Sequence, residues 1–324
     1  MENRIDPGKK NIFNFFGIEP GNGICYSGYR EGQSPDSRIY PTYDQIKEDL
    51  QILKKHWKYI RLYDCSRHAE LVLEVIRNEK LDLKVMLGAY IAAEMNNFGC
   101  PWGGVYTRDE LSQNRKNNLE EVARLIKLAN AYPGIIFSLS AGNEATVDWT
   151  DHFVPVEKVI EYVKMIKKEA VQPVTFCENY VPWQNKLRKL VEVVDFISIH
   201  TYPVWEYKDI HEALDYTRQN YLEVAEKYPD KLIAITEAGW ATNSNGRGID
   251  PNNVSEELQE IYYQDLVEWS TKESILTFVF EAFDEPWKGS NEVLEPEKHW
   301  GLFTVDRKAK KVMRNLFPDR KKSK

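Results

Sequence analysis

Short apolar, β-branched or aromatic runs recur along the chain, and each ends in a polar, glycine or aromatic cluster before a longer amphipathic stretch begins. Eight runs read as strands: Gly23 to Ser27, Tyr59 to Tyr63, Lys84 to Tyr90, Ile135 to Ser140, Val174 to Cys177, Val194 to His200, Leu232 to Thr236 and Leu276 to Phe280. Between them, apolar residues recur at helical spacing, as in Ile46, Leu50 and Leu53, or Leu119, Val122, Leu125, Ile126 and Leu128. Two helix starts carry a capping-box signature, Thr42 with Gln45 and Thr107 with Glu110. Strands that are almost wholly apolar and alternate with helices predict a parallel sheet buried on both faces. Eight such units of about 40 residues predict an α/β chain closed into a (β/α)8 TIM barrel.

The interior has no Gly/Ser/Pro-rich linker, no low-complexity tract and no abrupt charge shift. The expected organisation is one catalytic domain over 1–324, with an ordered core over about 12–317 and a frayed basic tail over 318–324. Usage is globular, 42% hydrophobic and 29% charged, enough for a large core. A formal charge of −7 gives no electrostatic basis for binding a phosphate backbone or an anionic membrane, so nucleic acid is not expected as a partner. No run approaches the roughly 18 apolar residues of a membrane span. The first ten residues lack the apolar stretch of a signal peptide, so export to a periplasmic or extracellular site is expected only with a leader missing from this sequence.

The four cysteines, Cys25, Cys65, Cys100 and Cys177, have neither Cys-x-x-Cys nor zinc-type spacing; Cys25, Cys65 and Cys177 lie in or just after apolar runs and read as free, mostly buried thiols. Glycine-rich nucleotide loops, nucleophile elbows and His-Glu-x-x-His motifs do not occur, so neither cofactor nor metal is expected. His200 reads as a hydrogen-bonding rim residue, because its nearest histidine, His211, is at no metal-binding spacing.

A barrel places its chemistry at the C-terminal ends of the strands. Read in that way, the strand ends supply Tyr26 and Arg30, then Arg61, Tyr63 and Asp64, then Asn143 and Glu144, Glu178 and Asn179, His200 and Tyr202, Glu237 and Trp240, and finally Asp284, Glu285, Trp287 and Lys288. Carboxylates, amides and aromatic rings gather there. Glycosidic cleavage needs one carboxyl group to protonate the leaving oxygen and another to attack the anomeric carbon or activate water, and Glu144 and Glu237 are the leading pair. The chain is also rich in rings, with 9 Trp, 18 Tyr and 13 Phe. Flat apolar faces suit the C–H faces of sugars. Trp240 and Trp287 are therefore expected to be sugar platforms. Tyr29, Trp102, Trp149, Trp183 and Trp205 are candidates for outer subsites, while Trp57 and Trp269 belong to helical patterns and the core.

The segments Ala141-Gly-Asn-Glu144, Ile235-Thr-Glu-Ala-Gly-Trp240 and Phe280-Glu-Ala-Phe-Asp-Glu-Pro-Trp-Lys288 resemble glycoside hydrolase family 17, in its bacterial branch. The likeness extends to Gly23-Ile-Cys-Tyr-Ser27, Gly32-Gln-Ser-Pro35, Ile60-Arg-Leu-Tyr63, His200-Thr-Tyr-Pro-Val-Trp-Glu206 and Trp300-Gly-Leu-Phe-Thr304. The resemblance implies Glu144 as acid/base and Glu237 as nucleophile of a retaining reaction, with the carboxyl groups about 5 to 5.5 Å apart. It implies Asn143 on the sugar 2-hydroxyl, and Glu285 with Lys288 beside the site. Tyr202 is then placed to donate to Glu237, with Arg61 as the positive charge beneath it. The expected substrate is a laminarin-like β-1,3-glucan, cut internally by a monomer, because aromatic residues stand in loops on both sides of the pair. Loops Asn96 to Glu110 and Asn243 to Pro251 are long enough to close one end and give exo action. A β-1,3-glucanosyltransferase shares these residues and is the alternative. A non-catalytic glucan-binding barrel would lack one carboxylate, and a barrel acting on phosphorylated metabolites would need a phosphate loop.

Overall fold

In the computed structural model, which describes residues 11–317, eight parallel strands close into a barrel in sequence order. They are β1 (Gly23–Cys25), β2 (Tyr59–Leu62), β3 (Lys84–Gly88), β4 (Ile136–Asn143), β5 (Val174–Asn179), β6 (Ile197–His200), β7 (Ile233–Ala238) and β8 (Thr277–Val279). Closure comes from β1 pairing with β8 through Gly23 with Phe278 and Ile24 with Val279. Each predicted strand is present. Strands β4, β5 and β7 run past their apolar stretches to Asn143, Asn179 and Ala238, so the polar residues of the rim are themselves hydrogen-bonded strand. The readings of the first ten residues and of the tail over 318–324 fall outside the described residues.

Both capping boxes form, at Thr42 and Thr107, because each side chain satisfies an orphan amide that the first helical turn leaves open. The floor of the barrel is sealed by a short helix, Ile12–Phe16, whose Phe16 meets Phe137 and Phe196 edge-on at 5.2 and 4.9 Å. The opposite end stays polar. There the regular register breaks: between Ser140 and Asn143 on the β4/β5 pair, between Ile199 and His200 on β6/β7, and between Ile235 and Ala238 on β7/β8. Such irregularities re-aim side chains beside a site. No helix among the described residues is long and apolar enough to cross a membrane. All four cysteines are free and buried.

Candidate active site

Strand β4 ends in a forced turn that presents Glu144. Gly142 has φ +120°, and a Cβ there would lie 2.9 Å from the Phe176 ring, so only glycine fits. Glu144 itself sits at φ +45°, in left-handed space that costs a side-chain-bearing residue about 1 to 2 kcal/mol. Its amide donates to the Cys177 carbonyl at 2.9 Å, which holds the turn in place. Strand β7 presents Glu237, buried and facing Arg61 from β2.

Arg61 organises the floor of the site. Its guanidinium donates to Glu237 Oε1 at 2.5 Å and to Asn143 Oδ1, and it lies over the Tyr63 ring at 4.4 Å. Because Asn143 accepts through its carbonyl oxygen, its amide nitrogen is left to donate into the cleft. Tyr202 donates to Glu237 Oε2 at 2.5 Å. His200, fully buried, stands between the two carboxyl groups, with Nδ1 2.8 Å from Glu144 Oε1 and 3.6 Å from Glu237 Oε2. Glu144, His200 and Glu237 all offer ligand-type atoms within 4.8 Å of one another. They form the one such grouping among the described residues, but the Glu237 oxygens already accept from Arg61 and Tyr202, and His200 Nδ1 is turned to Glu144. The donor set is committed to holding protons and carboxylates, not a metal.

The electrostatics divide the pair. Burial, reinforced by the negative charge of Glu237, pushes the Glu144 carboxyl up to about 8 against the pull of His152 and Arg61. Burial also pushes Glu237 upward, but His200, Arg61 and the Tyr202 hydroxyl outweigh it and hold this carboxyl at about 2. Near neutral pH one carboxyl is an acid and the other an anion.

On the β8 side, Lys288 pairs with both Glu285 and Glu281, the latter at 3.0 Å, and lies over the Phe280 ring at 4.5 Å. Trp287 Nε1 donates to Glu285 Oε1 at 3.1 Å, which orients a partly exposed ring at the rim. Glu281 points inward to Lys288, and burial with the neighbouring Glu285 pushes its carboxyl well above the usual range. Asp284 turns away to Lys310 at 2.7 Å.

Several residues read from sequence as site residues lie elsewhere. Trp240 is only 1% exposed: its ring packs on Tyr262 in the outer helical layer and its Nε1 donates to the Asn253 carbonyl at 3.0 Å. At the preceding Gly239 a Cβ would lie 2.1 Å from the Phe280 carbonyl oxygen, so only glycine fits there. Tyr26 is likewise buried, donating to Asp49 at 3.0 Å in a sealed network with Arg307. Trp183 is core, bonded to the Ser198 carbonyl. Trp205 has one face covered by Gly248 of the 243–251 loop. Trp57 is core as read, and Trp269 is partly buried against the edge of the core, with Tyr221 at 5.8 Å. Tyr63 supports the guanidinium, and its hydroxyl is buried.

Other residues at the site are not read from the sequence as site residues. His152 Nε2 donates to the Asn143 carbonyl at 2.9 Å, while its Nδ1 pairs with Asp151. Trp300 packs edge-on against Tyr202 at 5.1 Å and fixes its ring. Glu297 faces the cleft, where burial and the charges of Glu144 and Glu237 lift it to about 7 against Lys288. His152 comes from a loop and Glu297 from a single 3-10 turn, Pro296–Lys298, neither with periodicity, whereas Trp300 opens the Trp300-Gly-Leu-Phe-Thr304 segment, which carries the likeness without assigning the ring a role.

Residues 23–301 match the profile of the BtgE/BtgC glycoside hydrolase domain. The chain is 25% identical over 297 residues to a glucan 1,3-beta-glucosidase of Arthroderma benhamiae, covering 85% of this chain and 86% of that one. It is 26% identical over 306 residues to a probable glucan endo-1,3-beta-glucosidase btgC of Aspergillus clavatus, covering 86% of this chain but 40% of that longer one. The crystal structure of an endo-laminarinase from Formosa superposes with a TM-score of 0.80 at 27% identity, over 95% of this chain and 89% of that one. With an acid and an anion poised at the mouth of the barrel and a profile match across the whole barrel, the chain belongs to the BtgE/BtgC glycoside hydrolase domain family.

Proposed function

We propose that this protein is a retaining endo-β-1,3-glucanase of the family 17 type, acting on laminarin-like β-glucan. The observation that carries the reading is the Glu144/Glu237 pair: oxygens within 4.8 Å, one carboxyl protonated and the other ionised. That spacing leaves no room for a water between sugar and base, as inversion would require, and suits direct attack.

In the first step Glu144 protonates the glycosidic oxygen while a Glu237 oxygen attacks the anomeric carbon. The leaving chain departs with the proton, and a glucosyl ester forms on Glu237 with inverted configuration. Arg61 and Tyr202 hold the carboxylate oriented, and the Asn143 amide donates to the 2-hydroxyl as positive charge develops on the ring. Esterification removes the Glu237 charge, and with it a main reason for the raised Glu144 pKa. Glu144, now ionised, takes a proton from water as that water attacks the ester, and the second inversion restores the β-anomer.

The endo mode rests on the names of the relatives and on the loops. Loop 96–107 is bonded to 148–151, and loop 243–251 to Glu292 and Glu295, so each is drawn toward its neighbouring loop. Product analysis on laminarin, lichenan and laminari-oligosaccharides tests linkage and mode together. The expected result is a ladder of short β-1,3-oligosaccharides, with the β-anomer appearing first by NMR. Release of glucose alone would overturn endo action, an α-anomer would overturn retention, and products longer than the added oligosaccharide would reassign the enzyme to glucosyl transfer.

A further inference from the structure

Trp102 and Trp149 are 57% and 42% exposed, yet both stand on tied-down backbone. They belong to different loops, after β3 and after β4, and their rings lie 6.5 Å apart at 50°. Asn97 bridges the two loops: its Nδ2 donates to the carbonyls of Asp148 and Thr150, which flank Trp149, at 2.8 Å each. The Asn97 amide donates to the Gly104 carbonyl at 2.7 Å, closing the bend that carries Trp102, and Gly104 adopts φ +84° with no space for a Cβ against the Asn97 carbonyl. Tyr106 fastens the same loop to the Asp151 carbonyl. Two large apolar faces are thus held toward solvent at a fixed mutual tilt, which lowers the ordering cost of binding to them.

The pair is continuous with the active site. The segment that carries Trp149 also carries His152, bonded to the Asn143 carbonyl at 2.9 Å, and the half-exposed Tyr90 lays its ring against His152 at 5.4 Å. Asp148, next to Trp149 in the chain, is paired with Lys186 at 2.7 Å, and Asp151 with His152 at 2.8 Å. Aromatic faces with little net charge suit a neutral sugar chain. The inclination of the rings matters as well. Successive sugars of a β-1,4-chain form a flat ribbon, whereas a β-1,3-chain coils and turns its faces from one residue to the next.

We infer that Trp102 and Trp149 form a distal platform that holds a coiling β-1,3-glucan chain already engaged at Glu144 and Glu237, so that the enzyme favours polymer over short oligosaccharides. The inference rests on the proposed glucanase reading and names the part of the substrate that leaves the catalytic cleft.

The test compares Trp102→Ala/Trp149→Ala with the unaltered enzyme, as the ratio of kcat/KM on linear laminarin to kcat/KM on an aryl laminaribioside. The ratio is expected to fall roughly tenfold, mainly through KM, and Trp102→Phe/Trp149→Phe, which keeps flat rings, should restore most of it. In the inactive Glu144→Gln background, calorimetry with laminari-oligosaccharides of increasing length should show affinity rising with length, and the alanine pair should abolish that rise. An unchanged ratio, or an alanine pair that binds long and short chains as the unaltered protein does, would overturn the platform. A dimer in sedimentation that dissociates in the alanine pair would also overturn it, assigning the rings to a contact between copies. Failure of the unaltered enzyme to cut or bind any β-1,3-glucan is a separate result, and would overturn the glucanase reading together with the platform.

Discussion

Two buried carboxylate–arginine clusters sit within the same barrel end and do opposite things. Asp49 accepts from Arg307 through both of its oxygens, at 2.7 Å each, and also from Arg30 and Tyr26 at 3.0 Å. Every favourable approach to that carboxylate is taken. Glu237 accepts one hydrogen bond from Arg61 and one from Tyr202, with His200 farther off at 3.6 Å. Burial raises the pKa of both groups, yet at Glu237 the surrounding positive charge wins outright, whereas at Asp49 burial still prevails over Arg307 and Arg30. Saturation makes a clamp that ties the chain end near Arg307 to the first βα unit. Incomplete satisfaction makes an anion with somewhere to react.

Breaking each cluster should separate the two roles. The largest effect is expected at Glu237→Gly, where kcat on an activated β-glucoside should drop about 10⁴-fold or more, and added azide should restore release with an α-glucosyl azide as product. Turnover that survives without azide would remove Glu237 from the mechanism. Asp49→Ala should do the reverse, costing about 3 to 5 kcal/mol of unfolding free energy because it strands Arg307 in a dry environment. Denaturant titration measures that loss, and the remaining folded enzyme should keep its kcat.

The comparison also explains what could and could not be read from the chain. The eight strands were legible because a sheet buried on both faces needs unbroken apolar runs, and the catalytic pair because those runs end in Asn143-Glu144 and Thr236-Glu237. Tyr26 also ends a strand next to polar residues, and nothing local distinguishes a tyrosine that serves Asp49 from one that serves a substrate; the distinction comes from Arg307, which is 258 residues from Asp49 in sequence. Trp240 shows the same limit, since its ring is held by Tyr262 and by the Asn253 carbonyl, neither of which its neighbours in sequence announce. His152, Glu297 and Trp300 reach the site from loops, where neither period two nor period 3.6 marks a residue.

Smaller changes sharpen the contrast. Tyr202→Phe removes one of the two donors to Glu237 and should lower kcat about tenfold to a hundredfold while shifting the acid limb of the pH–rate profile upward. The profile of the unaltered enzyme should fall as pH rises through about 8, where Glu144 loses its proton, although each limb reports the pair and not one residue. The smallest effect is on stability. The raised folded pKa of Glu144 leaves the fold unpenalised below about 4.5, where both folded and unfolded chains are protonated, and penalises it progressively up to about 8. Glu144→Gln should therefore stabilise the protein by about 1 to 2 kcal/mol at pH 8 and leave it unchanged at pH 4, as followed by thermal melts at the two pH values.

The most direct test of the central claim is to trap the glycosyl enzyme. Incubation with an activated 2-deoxy-2-fluoro-laminaribioside, followed by proteolysis and mass spectrometry, should find one added fluoroglycosyl unit on the peptide containing Glu237 and on no other. A label on Glu144 or Glu297, or inactivation with no covalent adduct, would contradict the assignment of Glu237 as the nucleophile.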